Sequence, residues 1–318
     1  MNLTRITRAV TDDEVAARLQ QNSSYSDSPR SSGTAFTATE TYLEVCDGLY
    51  REKGWGLLAF AMGGIPALLG TVMGLWMATD IPQAIQQKGQ AGLAHWVFGF
   101  LSLVCFGAVL WASRSLLVDC FNYTRKPVRF NRIDRTIYAF RRSGPNGVIS
   151  VTWDKAFFYV ERKPKAGLTS TAPRVVRCLV LDENGRVTDS FPIGKRVVLA
   201  SSEDGRLGQE VMKELYADFE YCRRFMEYGP ANLPDVEEFL PVEVTFRNSL
   251  KLEFDGMSDM LNSGNLFLWL VGVLAAIPTF VLGCANYVAQ LTCREPVWPE
   301  EVERACSPAG ADTERLAT

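Results

Sequence analysis

Charge disappears from this chain in three long stretches, Gly54–Thr79, Gly89–Ser113 and Met260–Cys293, none of which contains Asp, Glu, Lys or Arg. At 22% charged residues overall, three such runs do not arise by chance. A helix crosses the hydrocarbon core with ~20 apolar residues at ~1.5 Å each, whereas apolar runs in soluble cores usually stop at ~10–14. Each run is long enough, so the sequence predicts an α-helical membrane protein with three transmembrane helices, near 55–78, 93–113 and 266–289. Trp55, Trp76, Trp269 and Tyr287 fall near span ends, where amphipathic rings favour the interface.

The first two spans are separated by the short 80–90 loop and must form an antiparallel hairpin. Gly70 and Gly74 have the small-xxx-small spacing that lets a second helix approach closely, within the chain or between copies. Pro66 predicts a kink. The segments then read as a mobile tail at 1–53, a membrane hairpin at 54–113, a soluble domain at 114–259, a third span at 260–293 and a polar tail at 294–318. The Ser-rich N-terminus looks unable to bury enough apolar area to order itself, apart from a short amphipathic helix around Asp12–Gln20.

The soluble domain predicts an α+β fold. Residues 127–131, 136–141, 148–153, 157–160, 175–181 and 186–191 alternate as short strands joined by Gly- and Asn-bearing turns. From Asp204 to Tyr228, Leu207, Val211, Leu215, Phe219 and Cys222 recur at helical spacing, with Ser202 or Asp204 as N-cap and Gly229-Pro230 as the stop. A strand meander closed by one amphipathic helix resembles a pleckstrin-homology-like half-barrel, and a plain α+β sandwich would give the same pattern. Residues 231–259 fit either a strand pair or a helix lying at the bilayer surface.

Cations near the spans set orientation. The 80–90 loop holds only Lys88, whereas eight follow the second span: Arg114, Arg125, Lys126, Arg129, Arg132, Arg135, Arg141 and Arg142. With three crossings, the N-terminus and middle domain are expected in the cytoplasm of a bacterial inner membrane and the C-terminal tail in the periplasm. There Cys293 and Cys306 are candidates for a disulfide.

The composition disfavours several chemistries. The single histidine, His95, opens the second span, so no Ser-His or Cys-His pair is available to the soluble domain. The eight cysteines include no C-x-x-C pair of the kind structural zinc uses. Ile193-Gly-Lys195 ends like a phosphate loop, but Asp189 stands where its first glycine belongs. Glu237-Glu238 and Glu300-Glu301 read as solvated charge. No enzyme activity, metal or cofactor is therefore expected, nor a nucleic-acid partner, since the domain is not basic as a whole. The expected partners are the lipid bilayer and a binding protein. Arg125, Lys126, Arg129, Arg132, Arg135 and Arg141 are the candidate contacts for a partner or for anionic headgroups, each charge contributing ~1 kcal/mol near a membrane surface. A subunit of an oligomeric channel and a membrane-anchored enzyme are the alternatives.

The hairpin, the run from Pro127 to Arg141 with its Arg-Phe-Asn-Arg core, Trp153-Asp154 and the late third span together resemble a family of uncharacterised proteobacterial inner-membrane proteins. Genes of that family often lie near type VI secretion effector clusters. The resemblance covers roughly residues 45–290 and brings no catalytic residues. It implies an immunity or accessory protein beside a toxin or secretion apparatus.

Overall fold

A computed structural model describes residues 7–307 except 32, 82, 88, 142–143, 163–171, 200–202, 204, 256, 258–260 and 263. Lys88, Arg142, Ser202 and Asp204 thus lie outside the described residues. The chain divides into two compact units. One comprises Met1–Tyr50, Arg125–Val242 and Pro296–Thr318; the other comprises Arg51–Thr124 and Glu243–Glu295.

The first unit is α+β. Its short first helix, α1 (Asp12–Ala16), opens on a capping box in which Thr11 and Glu14 bond each other's backbone N–H. Strands β1 (Arg18–Leu19), β7 (Phe157–Arg162), β8 (Ala172–Leu181) and β9 (Val187–Leu199) form one antiparallel sheet in the order β1-β7-β8-β9. The other sheet runs β2-β3-β4-β5-β6 from Ala35–Ala38, Tyr42–Val45, Val128–Asn131, Thr136–Phe140 and Val148–Thr152. Alternation in these short segments sends Leu43, Phe130, Ile137 and Phe158 inward. There they meet Leu215, Phe219, Cys222 and Phe225 from one face of the later amphipathic helix, Arg206–Tyr228. Gly229, at φ 82°, ends that helix.

The strands expected from 127 onward are present, most with ends within three residues of those expected, while β9 runs eight residues past the expected end to Leu199. The mobile tail is not: residues 35–38 and 42–45, placed in it by composition, are strands paired into the five-stranded sheet. The expected division at residue 53 therefore gives way to a unit assembled from three separate stretches of sequence.

The second unit holds the three apolar helices, Tyr50–Thr79, Ala91–Asp119 and Leu266–Leu291, each long and apolar enough to cross a membrane. The first comprises α2 (Trp55–Ala59), a π-helical turn at Phe60–Gly64 and α3 (Ile65–Thr79). The widened turn immediately precedes Pro66, whose missing N–H and ring disturb the backbone one turn earlier. A short α4 (Gln83–Gln86) leads to α5 (Ala91–Asp119). Numbering the 206–228 helix α6, the unit continues with α7 (Phe246–Glu253) and α8 (Leu266–Leu291); α9 (Glu300–Cys306) belongs to the first unit. Of the two readings left open for 231–259, the described residues contain a helix, α7, capped by Thr245.

One consequence concerns the C-terminal tail. Residues 296–306 belong to the same compact unit as 35–45 and 125–140. Thr41 Oγ1 donates to Cys306 O at 2.8 Å, and Asn131 Nδ2 to Ala305 O at 2.7 Å. The tail after the third apolar helix is thus bonded into the unit that holds the middle domain.

Candidate partner and headgroup contacts

The residues of the basic cluster do not converge on one surface. Arg129 on β4 faces Glu44 on β3 in the ladder. Its Nε and Nη2 donate to Glu44 Oε2 at 3.0 and 2.8 Å. The guanidinium lies 4.4 Å from the Tyr42 ring centroid and 4.7 Å from that of Trp298, and Nη1 reaches Glu303 Oε1 at 3.3 Å. Only 5% of the side chain is exposed. Burial alone would lower the Arg129 pKa, but the Glu44 carboxylate more than compensates and raises it. This charge is neutralised inside the protein and does not face headgroups.

The others are spread out. Arg135 sits at φ 51° in the β4–β5 turn and bridges Asp154 (2.7 Å) and Glu227 (3.1 Å), and Glu227 also accepts the Trp153 indole N–H. Arg141 donates to the carbonyls of Phe140 and Lys126 and lies 3.5 Å from Asp47. Arg132 donates to Glu40 O at 3.4 Å. Arg125 donates to Val242 O and stands 5.6 Å over the Phe36 ring. Lys126 is half-buried, its carbonyl engaged by Arg141. The structure therefore uses these cations chiefly to hold strands and turns together.

Sequence reasoning missed what lies next to Arg129. Thr39, Glu40, Thr41 and Tyr42 from the β2–β3 turn and Glu303, Cys306 and Ser307 from α9 line an open cavity of about 440 Å³. Glu303 is exposed, whereas burial raises the pKa of both the Tyr42 phenol and the Cys306 thiol, so both stay protonated at neutral pH. A neutral thiol is a poor nucleophile. The cavity is suited to hydrogen bonding and ring contact. The only sequence signal for it was Trp298 in an otherwise polar tail.

Two buried carboxylates tie α6 to the N-terminal segment. Burial would raise the Glu220 carboxyl, but hydrogen bonds from Arg223 and Arg224 and from Tyr25 N–H bring it down to about 2. Asp218 goes the other way. Burial pushes it up to about 6 against the donors Thr34 Oγ1 and Lys195 N–H.

In the unit of apolar helices, Gly70 and Gly74 meet α5. A Cβ on Gly74 would stand 3.0 Å from Ser102 Cβ, and one on Gly70 3.1 Å from Cys105 Sγ. Their packing is intramolecular, and Ser102 Oγ adds a bond to Thr71 O. His95 contacts Ala78 O through Nδ1 at 2.5 Å, engaging a carbonyl at the end of α3. Asp119 at the end of α5 accepts from Gly54 N–H and Gly56 N–H and so caps α2. Buried Asn286 donates to Lys53 O and to Glu253. The candidate disulfide is not formed. Cys293 and Cys306 are both unbonded; the first donates its thiol to Asp119 O, and the second is buried in the other unit. Among the described residues, no group of His, Cys, Asp and Glu side chains is arranged to hold a metal ion.

Residues 203–309, from the start of α6 to just past α9, match the model of a family of unknown function, DUF6708. The match therefore takes in a helix of the α+β unit, the third apolar helix and the C-terminal helix. No curated protein and no solved structure matches the chain.

Proposed function

We propose that this chain is a non-enzymatic inner-membrane protein whose soluble unit is a pleckstrin-homology-like binding module facing the cytoplasm. The observation that carries the reading is the arrangement of elements: a five-stranded meander, a second antiparallel sheet of β7–β9 edged by β1, then the amphipathic α6 packed into the core they share. The membrane hairpin is inserted between neighbouring strands β3 and β4. Fold alone does not assign a ligand. The neutralised arginines weigh against headgroups and in favour of a protein partner, with the Thr41–Tyr42–Glu303 cavity as the place where a partner side chain is received.

Within that reading, the specific role is self-protection or accessory work beside a secreted toxin of a type VI system. Deleting the gene and exposing the cells to attack by sister cells tests it. Survival is expected to fall, and Thr41→Arg, which fills the cavity, is expected to reproduce the loss at unchanged protein level. Undiminished survival of the deletion strain removes the protective role.

A further inference from the structure

We infer that β7 and α6 border a groove for an extended peptide, and that residues 17–26 are an intramolecular ligand which a partner's segment displaces. The inference stands apart from the reading above, since it uses no residue of the Thr41–Tyr42–Glu303 cavity. It starts from a sheet edge. On one side β7 is paired with β8 along its whole length, Phe157–Arg162. On the other it meets β1, two residues long, with Arg18 opposite Tyr159 and Leu19 opposite Phe158. Val160 N–H adds a bond to Ala17 O at 3.1 Å. A short antiparallel strand laid on an edge is how a sheet takes up an extended peptide: main-chain bonds hold it, and pockets for its side chains select it.

The other wall, α6, binds mostly main chain. Arg223 Nη1 donates to Gln21 O at 3.0 Å and Arg224 Nη2 to Ser26 O at 2.9 Å. Glu220 accepts Tyr25 N–H at 3.1 Å and the Ser24 hydroxyl at 3.2 Å. These receiving side chains are already paired with one another. Glu220 takes Arg223 Nε and Nη2 at 2.8 and 2.7 Å and Arg224 Nε at 2.7 Å. Withdrawal of the segment therefore orphans no buried charge.

Three side chains of the segment supply the selectivity. Arg18 lies 4.7 Å over the Phe157 ring, and Leu19, 4% exposed, joins the core. Half-buried Tyr25 stacks on Tyr216 at 6.2 Å and meets Phe219 edge-on at 5.8 Å. Between them the chain turns, Ser23 N–H bonding Gln20 O, and carries only Gln, Asn and Ser. Ordering ten residues for one buried and one half-buried apolar side chain makes a weak occupant. It is also separable. Asp27 and Ser28 are exposed, and beyond them the chain is anchored anew, by Arg30 N–H on Ala217 O at 3.2 Å and by Thr34 on Asp218. The displacing segment is thus an extended stretch of another protein with a cation, an apolar residue next to it and, six places after the apolar one, a tyrosine.

The test uses the full chain in detergent, with a recognition site for a specific protease inserted between Asp27 and Ser28. After cleavage, the fragment of residues 1–27 is expected to dissociate on dilution and to leave a chain that still melts cooperatively. A fluorescent peptide of residues 1–27 is expected to take its place. Leu19→Ala and Tyr25→Ala in that peptide should each weaken binding about tenfold or more. The uncut chain should bind the peptide at least about tenfold more weakly than the cut one, because its own tethered segment competes. A peptide of unrelated sequence that keeps only the arginine, leucine and tyrosine at their spacing is expected to compete for the cut chain. Loss of the cooperative melt once the fragment is gone overturns the inference, since the segment is then part of the fold. A fragment that never exchanges overturns it too, as does equal binding to cut and uncut chains. Failure of the unrelated peptide confines the groove to its own segment and overturns the partner.

Discussion

Glu44 and Arg129 face each other across the β3–β4 ladder, and a single oxygen, Glu44 Oε2, receives two guanidinium bonds and, at 3.0 Å, the indole N–H of Trp298. The strand that precedes the membrane hairpin, the strand that follows it and the C-terminal segment therefore meet at one atom. Breaking a buried pair leaves an unpaired charge, at a cost of about 3–5 kcal/mol, whereas replacing both partners by apolar groups is far milder. Glu44→Ala is expected to lower the urea midpoint of the full chain in detergent by that equivalent, and Glu44→Leu with Arg129→Met by much less. Equal losses in the single and double variants would show that the pair is not coupled.

Trp298→Phe keeps an aromatic ring near Arg129 but removes the indole donor and part of the buried ring, at about 1 kcal/mol for the hydrogen bond plus the packing lost. It is expected to loosen α9 from the sheet before the rest of the unit unfolds. Limited trypsin digestion at Arg304 reads this directly. Cleavage no faster than in the parent chain would place the anchor elsewhere.

The two kinds of buried carboxylate give opposite pH dependences. Asp218 holds its proton more tightly folded, at about 6, than unfolded, so the folded state loses stability as pH rises from about 4 through 6. The size is on the order of 3 kcal/mol. Glu14, held to about 2 chiefly by its hydrogen bond from Arg8, and Glu220, also about 2, stabilise above their unfolded values and lose that contribution as pH falls from about 4.5 toward 2. Stability of the soluble unit should peak near pH 4.5–5. Asp218→Asn is expected to flatten the decline above that pH and leave the acid limb; a variant whose midpoint still drops between pH 4.5 and 7 assigns the decline to another group.

Gly56 sets how closely α2 approaches α5. A Cβ there would stand 2.3 Å from Ser115 O, a backbone atom that cannot rotate away, and 2.9 Å from the capping Asp119 carboxylate. Gly56→Ala is expected to cost about 1–3 kcal/mol, as overpacking usually does. Gly107→Ala, which meets nothing within 4 Å, is the neutral control. Thermal melting of the detergent-solubilised protein separates them, and equal melting temperatures would refute the close approach.

Physical range explains what the sequence made legible. Lipid burial acts on every residue of a span, so three charge-free runs declared themselves. The β4–β9 meander and α6 have neighbours close in sequence and long enough periods to read. Ala35–Ala38 and Tyr42–Val45 offer only four residues each in Ser- and Thr-rich surroundings, and the partner of Glu44 stands 85 positions later. Pairing at that distance leaves no local mark. The same holds for Trp298 and Glu303. Their partners made Arg129 a structural cation, where its sequence neighbours suggested a headgroup ligand. Cys293 and Cys306 were linked only by proximity in sequence, and they fall in different units.

Inserting the hairpin between β3 and β4 also dictates an order of events at the ribosome. Translation at ~5–20 residues per second leaves roughly 4–17 s between Glu44 and Arg129. During that interval the two apolar helices must be made while β3 waits with one edge unsatisfied. The sheet closes around β3 and β4 only after that, and α9 can dock only once the last helix is made. A chain whose hairpin fails to form therefore holds its β3 edge open, exposed to quality-control proteases before it has a fold to protect it.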